Sequence, residues 1–253
     1  MPRFAANLTT MFPELPLPER FGAAATAGFR GVEVLFPYDL PVPMMVNLLA
    51  VNGLTLVLMN APPPNYADGP RGFAAIPGGQ DRFRHDFRRA HRQARALGAQ
   101  VLHLMAGVAD AADARAVFVD NLRWAAAEAP QMTLTIEPIN PHDMPGYFLA
   151  DFGVALDVLA QVAAPNLRLQ FDAYHAHRIT GDVPGTWALC RDAVAHVQVA
   201  GYPGRNEPEG GEIDYPAFFA RLDGDGYRGW VSGEYHPRAG TALGLGWMRG
   251  GPI

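Results

Sequence analysis

The sequence predicts a parallel α/β protein, a single (β/α)8 TIM-barrel domain that spans residues 1–253. Short apolar runs alternate with longer amphipathic runs along the chain, which is typical of repeated β-α units. Eight short runs in 253 residues give about 32 residues per unit, which suits a barrel of about 250 residues. A doubly wound nucleotide-binding sheet would carry a glycine-rich turn after its first strand. No Gly-x-Gly-x-x-Gly sequence follows residues 4–8.

The predicted strands are short and rich in Val, Leu, Ile, Thr and Phe. They cover residues 4–8, 31–36, 54–60, 100–106, 132–138, 167–173, 195–200 and 229–235. Helices are predicted at 16–28, 81–97, 112–129, 151–163 and 186–194. Prolines, asparagines and a glycine divide the apolar stretch 40–59 into a further helix and a strand. The stretch after Gly240 is short and rich in glycine, so we expect the eighth helix to be truncated or irregular.

Composition excludes several classes of protein. A net charge of −5 argues against a nucleic-acid partner, and the arginines of 81–97 are expected on a solvated helix face. All 20 Lys+Arg residues are arginines, which excludes chemistry through a lysine Schiff base. The single Cys190 forms no intrachain disulfide and is expected to be a packed thiol. No signal peptide or long apolar run is visible, which favours a cytoplasmic protein with no membrane partner.

One polar side chain stands near the carboxyl end of each predicted strand. In chain order these residues are Asn7, Glu33, Asn60, His103, Glu137, Asp172, Gln198 and Glu234. Alternate residues of a strand share a face, so Thr135, Gln170 and His196 are predicted to point into the barrel as well. The carboxyl ends of the strands form the mouth where enzymes of this fold hold their active sites. We therefore expect the eight residues to surround such a site.

Three carboxylates and one amide share this register on the last four strands. They belong to Glu137, Asp172, Gln198 and Glu234. Unpaired carboxylates that converge inside a protein repel one another and resist desolvation, and a bound cation removes that repulsion. An all-oxygen donor set favours one divalent ion, Mg²⁺ or Mn²⁺, over zinc. The alternative is a hydrogen-bonded polar plug that holds no metal.

Four motifs follow the predicted strands in order. They are Phe36-Pro37-Tyr38, Glu137-Pro138-Ile139-Asn140, Phe171-Asp172-Ala173-Tyr174-His175, and residues 198–208 continued by 211–215. In these motifs the sequence resembles the hydroxypyruvate isomerase family of the xylose-isomerase-like barrels. Residues 137–149 are also similar to close relatives that isomerise 2-oxo-tetronates.

The resemblance implies a metal-dependent, aldose–ketose type isomerisation of a small hydroxy-oxo acid. The substrate would be hydroxypyruvate, which gives 2-hydroxy-3-oxopropanoate, or the four-carbon homologue. The resemblance further implies that Glu137 and Glu234 move the proton and that His175 and Arg205 contact the substrate. Gln198 stands where many related sugar epimerases carry histidine, which weakens an epimerase interpretation. The remaining candidates for substrate contact are His103, Asn7, Glu33 and Asn60.

Other functions stay open at this point. A metal-dependent lyase, either a dehydratase or a class II aldolase, needs the same stabilisation of an enediolate. A DNA-repair nuclease of the three-zinc barrels needs more histidine ligands and a basic groove, and a non-catalytic sugar-acid binding protein has no need of the full acid set. Residues 62–79 are rich in proline and glycine, and we expect them to form a lid or a subunit contact. A homo-oligomer remains open.

Overall fold

Eight parallel strands close into a barrel in chain order, with the last strand paired to the first. They are β1 (Arg3–Asn7), β2 (Gly31–Glu33), β3 (Thr55–Asn60), β4 (Val101–His103), β5 (Thr133–Ile136), β6 (Leu167–Asp172), β7 (Val194–Val199) and β8 (Trp230–Gly233). The computed structural model describes residues 2–61 and 72–249. The predicted barrel is confirmed, whereas most of the proposed lid segment lies outside the described residues.

The helices lie between consecutive strands. They are α1 (Leu17–Thr26), α2 (Val42–Val51), α3 (Gln80–Leu97), α4 (Ala114–Glu128), α5 (Phe152–Val162), α6 (Ala173–Thr180), α7 (Val183–Cys190) and α8 (Tyr215–Gly224). Sequence periodicity missed α6 and α8. Helix α6 begins directly at the end of β6, where the Asp172 side chain accepts hydrogen bonds from the backbone N–H groups of Tyr174 and His175. None of the described helices is long and apolar enough to cross a membrane.

The chain after β8 departs from the regular barrel, as the glycine-rich sequence predicted. Up to residue 249, two short 3₁₀ helices, Thr241–Gly244 and Gly246–Arg249, stand where an α-helix would follow. Trp247 packs against Phe4, with ring centroids 5.0 Å apart, and against Phe219 on α8. Thr241 accepts a hydrogen bond from the Phe12 backbone at 2.6 Å. This segment therefore covers the gap between β1 and α8.

The helix faces follow the apolar pattern of the sequence. On α3, Phe83, Phe87 and Leu97 are buried, and Gly98 ends the helix with a φ of +67°. The guanidinium groups of Arg84 and Arg88 lie over the Trp124 ring of α4, at 5.3 and 5.1 Å. These arginines thus cover an aromatic side chain at the barrel surface. The Cys190 thiol is buried, and burial raises its pKa to about 11, so it is a packed and unreactive group.

Strand pairing brings the predicted polar residues to the barrel mouth. Direct partners across neighbouring strands are Asn7 with Glu33, Asn60 with His103, and Asp172 with Gln198. Other steps are offset by two residues, so that His103 pairs with Thr135 and Gln198 with Ser232. Such offsets are a consequence of strand tilt in a closed barrel. Glu137 and Glu234 therefore lie one inward-facing position beyond those partners.

Candidate active site at the barrel mouth

A cavity of about 180 Å³ opens at the carboxyl ends of the strands. Its polar lining consists of Asn60, His103, Glu137, Asp143, His175, Arg205 and Glu234, and its apolar lining of Leu35, Phe36, Met105, Ile139 and Met144. Six of the predicted site residues therefore face one space. Asp172 and Gln198 are buried next to it, at 1% and 0% exposure. Asn7 and Glu33 are also fully buried and are not among the lining residues.

The acidic side chains converge at one side of the cavity. Ligand atoms of Glu137, Asp172 and His175 all lie within 4.8 Å of one another. The Arg205 Nη2 atom lies 3.4 Å from Asp172 Oδ2 and 3.3 Å from Glu234 Oε2, so one guanidinium joins two carboxylates. Although burial lowers it, the pKa of Arg205 is raised on balance because Glu234 and Asp172 favour the charged form.

The pKa values of the two cavity glutamates, Glu137 and Glu234, are raised, which favours their protonated forms. Burial raises the pKa of Glu137 well above its usual range, and the neighbouring Asp172 and Glu234 carboxylates raise it further. Burial likewise raises the pKa of Glu234 to about 8, against the opposing effect of Arg205. Glu137 Oε1 is buried and has no hydrogen-bond partner among the described residues. That oxygen is available to a ligand in the cavity.

A network of buried polar side chains supports the acidic residues from below. Gln170 Nε2 donates to Glu137 Oε2 at 3.0 Å and to Gln198 Oε1 at 2.7 Å. Gln198 Nε2 in turn donates to Glu33 Oε2 at 2.9 Å. The Gln198 oxygen and one Glu137 oxygen therefore accept from the same Gln170 amide group. We call Asn7, Glu33, Gln170, His196 and Gln198 the floor network.

Asn7 and Glu33 belong to this floor. Asn7 Nδ2 donates to Glu33 Oε2 at 2.8 Å, while Asn7 Oδ1 accepts from the Thr9 backbone at 2.9 Å. The other carboxylate oxygen of Glu33 is hydrogen-bonded to His196 Nε2. Their observed contacts are thus to protein groups beneath the cavity, whereas the sequence grouped them with the substrate contacts. Of the two, Glu33 contacts Gln198 directly, by accepting a hydrogen bond from its amide at 2.9 Å.

Two buried histidines face the cavity. His103 Nδ1 lies 3.2 Å from Asn60 Oδ1, and its Nε2 lies 3.8 Å from Glu137 Oε2. His175 Nδ1 lies 2.6 Å from Asn140 Nδ2, and its Nε2 lies 3.6 Å from Asp172 Oδ2. Burial lowers the pKa of His103 to about 3 and that of His175 to about 4. Both imidazoles are therefore neutral near pH 7.

Two residues that line or support the site had no assigned role in the sequence. Asn140 is fully buried after β5, and its Nδ2 also donates to Asp143 Oδ2 at 3.1 Å. Asp143 faces Arg178 at 3.6 Å and Arg205 at 4.0 Å. Asn140 stands in the Glu137-Pro138-Ile139-Asn140 motif, which was the available signal. Its contact with His175, 35 positions away, becomes visible only in the folded chain.

The residues present fit a divalent cation. Carboxylate and amide oxygens are the donors that Mg²⁺ and Mn²⁺ prefer. Within the described part of the chain, Glu137 Oε1 is buried without a hydrogen-bond partner, and Gln198 Oε1 accepts from the same Gln170 amide that binds the other Glu137 oxygen. When ionised, the carboxylates of Glu137, Asp172 and Glu234 carry more negative charge than Arg205 neutralises, so a further cation favours their ionised form. No metal identity follows from the donors alone.

A larger groove of about 480 Å³ lies outside the barrel mouth, between α6, α7 and the start of α8. Two of its acidic residues, Asp182 and Asp214, cap helices α7 and α8 by accepting backbone hydrogen bonds. A third, Glu212, faces His177 at 3.4 Å. Because these charges serve helix ends and an ion pair, the groove lacks the converging, unpartnered groups of the barrel mouth.

Comparison with known proteins gives a consistent set of relatives. The family model of the xylose isomerase-like TIM barrel matches residues 21–250. The chain is 46% identical over 257 residues to a 2-oxo-tetronate isomerase of Cupriavidus necator, with 98% of both chains covered. It is 40% identical over 254 residues to a hydroxypyruvate isomerase of Escherichia coli, again with 98% of both chains covered.

One solved structure is similar over the whole length. It comes from Brucella melitensis, bears the name AP endonuclease, family 2, and matches with a TM-score of 0.95. Its sequence is 44% identical, and 98% of each chain is covered. The fold of this chain is therefore shared with an experimental structure, whose name differs in kind from those of the curated relatives.

Proposed function

Because this chain belongs to the hydroxypyruvate isomerase family of the xylose isomerase-like TIM barrels and is an isomerase, we propose that it moves an oxo group between C2 and C3 of a small hydroxy acid. The substrate is hydroxypyruvate, which gives 2-hydroxy-3-oxopropanoate, or the four-carbon 2-oxo-tetronate. The observation that carries the proposal is one cavity with two proton-holding glutamates and a single guanidinium beside them.

Glu137 and Glu234 are the acid and base of this reaction. One carboxylate removes a proton from the carbon that bears the hydroxyl, and the other carboxyl group returns a proton to the former carbonyl carbon. The hydroxyl proton passes to the former carbonyl oxygen, so atoms and charge balance. The two glutamates follow strands β5 and β8 and line the same cavity. Burial of the glutamates favours this proton transfer, since a carboxyl group with a raised pKa is the stronger base once it is ionised.

Glu137, Asp172, Gln198 and Glu234 are the residues that would hold Mg²⁺ or Mn²⁺. The ion would supply a Lewis acid for the negative charge that develops on the substrate oxygens. Gln170 and Glu33 contribute by fixing the Gln198 amide and one Glu137 oxygen. The unpartnered Glu137 Oε1 supports this assignment.

Arg205 is the receptor for the substrate carboxylate. It is the one Lys or Arg residue among those that line the described cavity. Its planar fork matches a carboxylate, and Tyr174 supports the guanidinium with its ring centroid 5.1 Å away. The residue has a φ of +54°, and its backbone carbonyl accepts a hydrogen bond from His236 at 2.8 Å. The loop is thereby fixed against the segment that follows β8.

The direct test is isotope exchange. Mg²⁺-loaded protein is incubated in D₂O with hydroxypyruvate and, separately, with 2-oxo-tetronate, and product and deuterium are followed by NMR. We expect the isomer to form with deuterium on the newly protonated carbon, and the faster substrate gives the chain length. A folded, metal-loaded protein that isomerises neither acid and exchanges no carbon-bound proton would refute the proposal.

The name of the Brucella structure raises nuclease activity as a second candidate. Nucleases must neutralise several backbone phosphates with basic groups. The described cavity is lined by three acidic residues and one arginine, and the whole chain carries a net charge of −5. These observations favour a small acid over a DNA backbone. An assay with abasic-site DNA beside the isotope experiment separates the two functions.

A further inference from the structure

The two buried histidines of the cavity differ in the group that faces Nδ1. A neutral imidazole has one N–H donor and one acceptor nitrogen, and the partner of the first nitrogen decides the state of the second. For His175 that partner is the Nδ2 group of Asn140, and for His103 it is the Oδ1 atom of Asn60. The partners have opposite hydrogen-bonding character.

The Asn140 amide has a fixed orientation. Its Oδ1 accepts hydrogen bonds from the backbone N–H groups of His142, at 3.1 Å, and Asp143, at 3.0 Å. The Nδ2 group therefore faces His175 Nδ1 at 2.6 Å and can only donate. His175 Nδ1 must accept this bond, so the ring proton resides on Nε2. That N–H lies on the cavity side, 3.6 Å from Asp172 Oδ2.

His103 has the reverse arrangement. Asn60 Oδ1 lies 3.2 Å from His103 Nδ1, while Asn60 Nδ2 faces the sulfur of Met105 at 3.9 Å. An amide oxygen can only accept, so the ring proton resides on Nδ1. The lone pair of Nε2 then points away from Asn60, on the side of the ring where Glu137 Oε2 lies 3.8 Å away, beyond hydrogen-bond distance. His103 Nε2 is buried and has no hydrogen-bond partner among the described residues.

We infer that Asn60 and Asn140 are positioning residues that hold the two histidines in opposite neutral tautomers. His103 Nε2 then accepts a hydrogen bond from the substrate hydroxyl, and His175 Nε2–H donates one to a substrate oxo or carboxylate oxygen. A hydroxyl beside a carbonyl offers this pair of complementary groups. The substrate contacts depend on the proposed function, whereas the tautomers are a property of the protein alone.

The tautomer of His175 also decides whether His175 or Gln198 is the fourth donor to a cation, beside the three carboxylates. His175 lies close enough to Glu137 and Asp172 to be a ligand. A histidine nitrogen that carries a proton has no lone pair to offer, and in this tautomer the free lone pair of His175 faces Asn140. Gln198 is then the remaining fourth donor, which agrees with the oxygen-only set.

The test uses protein labelled with ¹⁵N at histidine and loaded with diamagnetic Mg²⁺, without substrate. Two-bond ¹H–¹⁵N correlation spectra distinguish Nδ1–H from Nε2–H rings, and His103→Gln and His175→Gln spectra assign the signals. We expect the Nδ1–H pattern for His103 and the Nε2–H pattern for His175. Wild-type rings in the same tautomer, or with the two patterns exchanged, would overturn the inference. Since no turnover is required, failure of the proposed function leaves this result interpretable.

A second variant tests the cause. Asn140→Asp keeps the shape but places a carboxylate oxygen against His175 Nδ1, so the His175 signals should change to a ring protonated at Nδ1 while those of His103 stay. We expect kcat/KM for the preferred acid to fall by about 5- to 150-fold, the effect of misplacing one buried hydrogen bond. His177→Gln, in the outer groove, is the control and should alter neither ring. An unchanged His175 tautomer in Asn140→Asp would contradict the positioning role.

Discussion

Binding of a divalent cation at the barrel mouth should release protons. In the metal-free protein, burial holds the pKa of Glu234 at about 8 and that of Glu137 well above its usual range. Glu234 is therefore largely protonated at pH 6.5, and the raised pKa of Glu137 acts in the same direction. A cation binds the ionised form, so it must displace these protons, and its apparent affinity must rise with pH.

The size of the effect follows from the pKa of Glu234. Below about pH 8, each proton displaced changes the apparent binding constant by about tenfold per pH unit. Between pH 6.0 and 7.5, Glu234 alone predicts an increase of about 25-fold in Mg²⁺ affinity. A proton displaced from Glu137 would add to this increase, because its raised pKa acts in the same direction. The sign is fixed, because a raised carboxyl pKa always opposes cation binding at low pH.

Isothermal titration calorimetry in two buffers of different ionisation enthalpy measures both the affinity and the number of protons released. At pH 6.5 we expect at least about one proton per Mg²⁺, the one displaced from Glu234. Glu234→Gln should release about one proton fewer. Glu212→Gln is the matched control, because Glu212 is exposed and pairs with His177 outside the barrel.

An Mg²⁺ affinity that is the same at pH 6.0 and 7.5, or binding that releases no proton, would contradict this prediction. Either result would mean that the cation binds elsewhere or that these carboxyl groups are already ionised. An unchanged proton count in Glu234→Gln, with the pH dependence intact, would remove Glu234 from the ligand set.

Three further predictions follow from the same contacts. Glu137→Gln and Glu234→Gln should each lower kcat by about 10²–10⁴-fold in Mg²⁺-loaded protein, because each removes a proton carrier; turnover within a few-fold of wild type would restrict that glutamate to ligation. Arg205→Ala should lower kcat/KM for hydroxypyruvate by about 10- to 150-fold, with partial rescue by lysine and little effect on neutral dihydroxyacetone; equal losses on both compounds would show that the arginine supports the loop. Trp247→Ala should reduce the free energy of unfolding in urea by about 3–5 kcal/mol, whereas Leu243→Ala, at an 85% exposed position, should stay within about 0.5 kcal/mol; equal effects would mean that the C-terminal segment does not secure the barrel.

The barrel was predictable because apolar alternation on each strand is local. Two of the helices, α6 and α8, were not predicted from the sequence. Helix α6 starts at Ala173 with no loop after β6, so strand and helix patterns run together. Helix α8 did carry a usable signal, since Asp214 caps it and Pro216 stands in its first turn. The long loop before it concealed that signal.

The site was predictable to the level of strand register. One polar residue per strand brought Asn60, His103, Glu137 and Glu234 to a common cavity. The depth of Glu33 was not predictable, because it depends on strand offsets and on partners that other strands supply. The hydrogen-bond partners of the two histidines could not be predicted from the sequence either, since they come from loops and strands that meet only on folding.

The floor network has a consequence for how this scaffold can diversify. Gln198 is held on both sides, by a donor from Gln170 and by an acceptor on Glu33. A neutral histidine at position 198 would also offer one donor and one acceptor. Its rigid ring would not place them where the two amide atoms lie, so at least one of the buried partners would lose its hydrogen bond. Replacement of this amide by an imidazole would therefore require concerted changes at several buried positions. A histidine at position 198 alone is therefore expected to lower the free energy of unfolding, and further substitutions in the floor network would be needed to restore it.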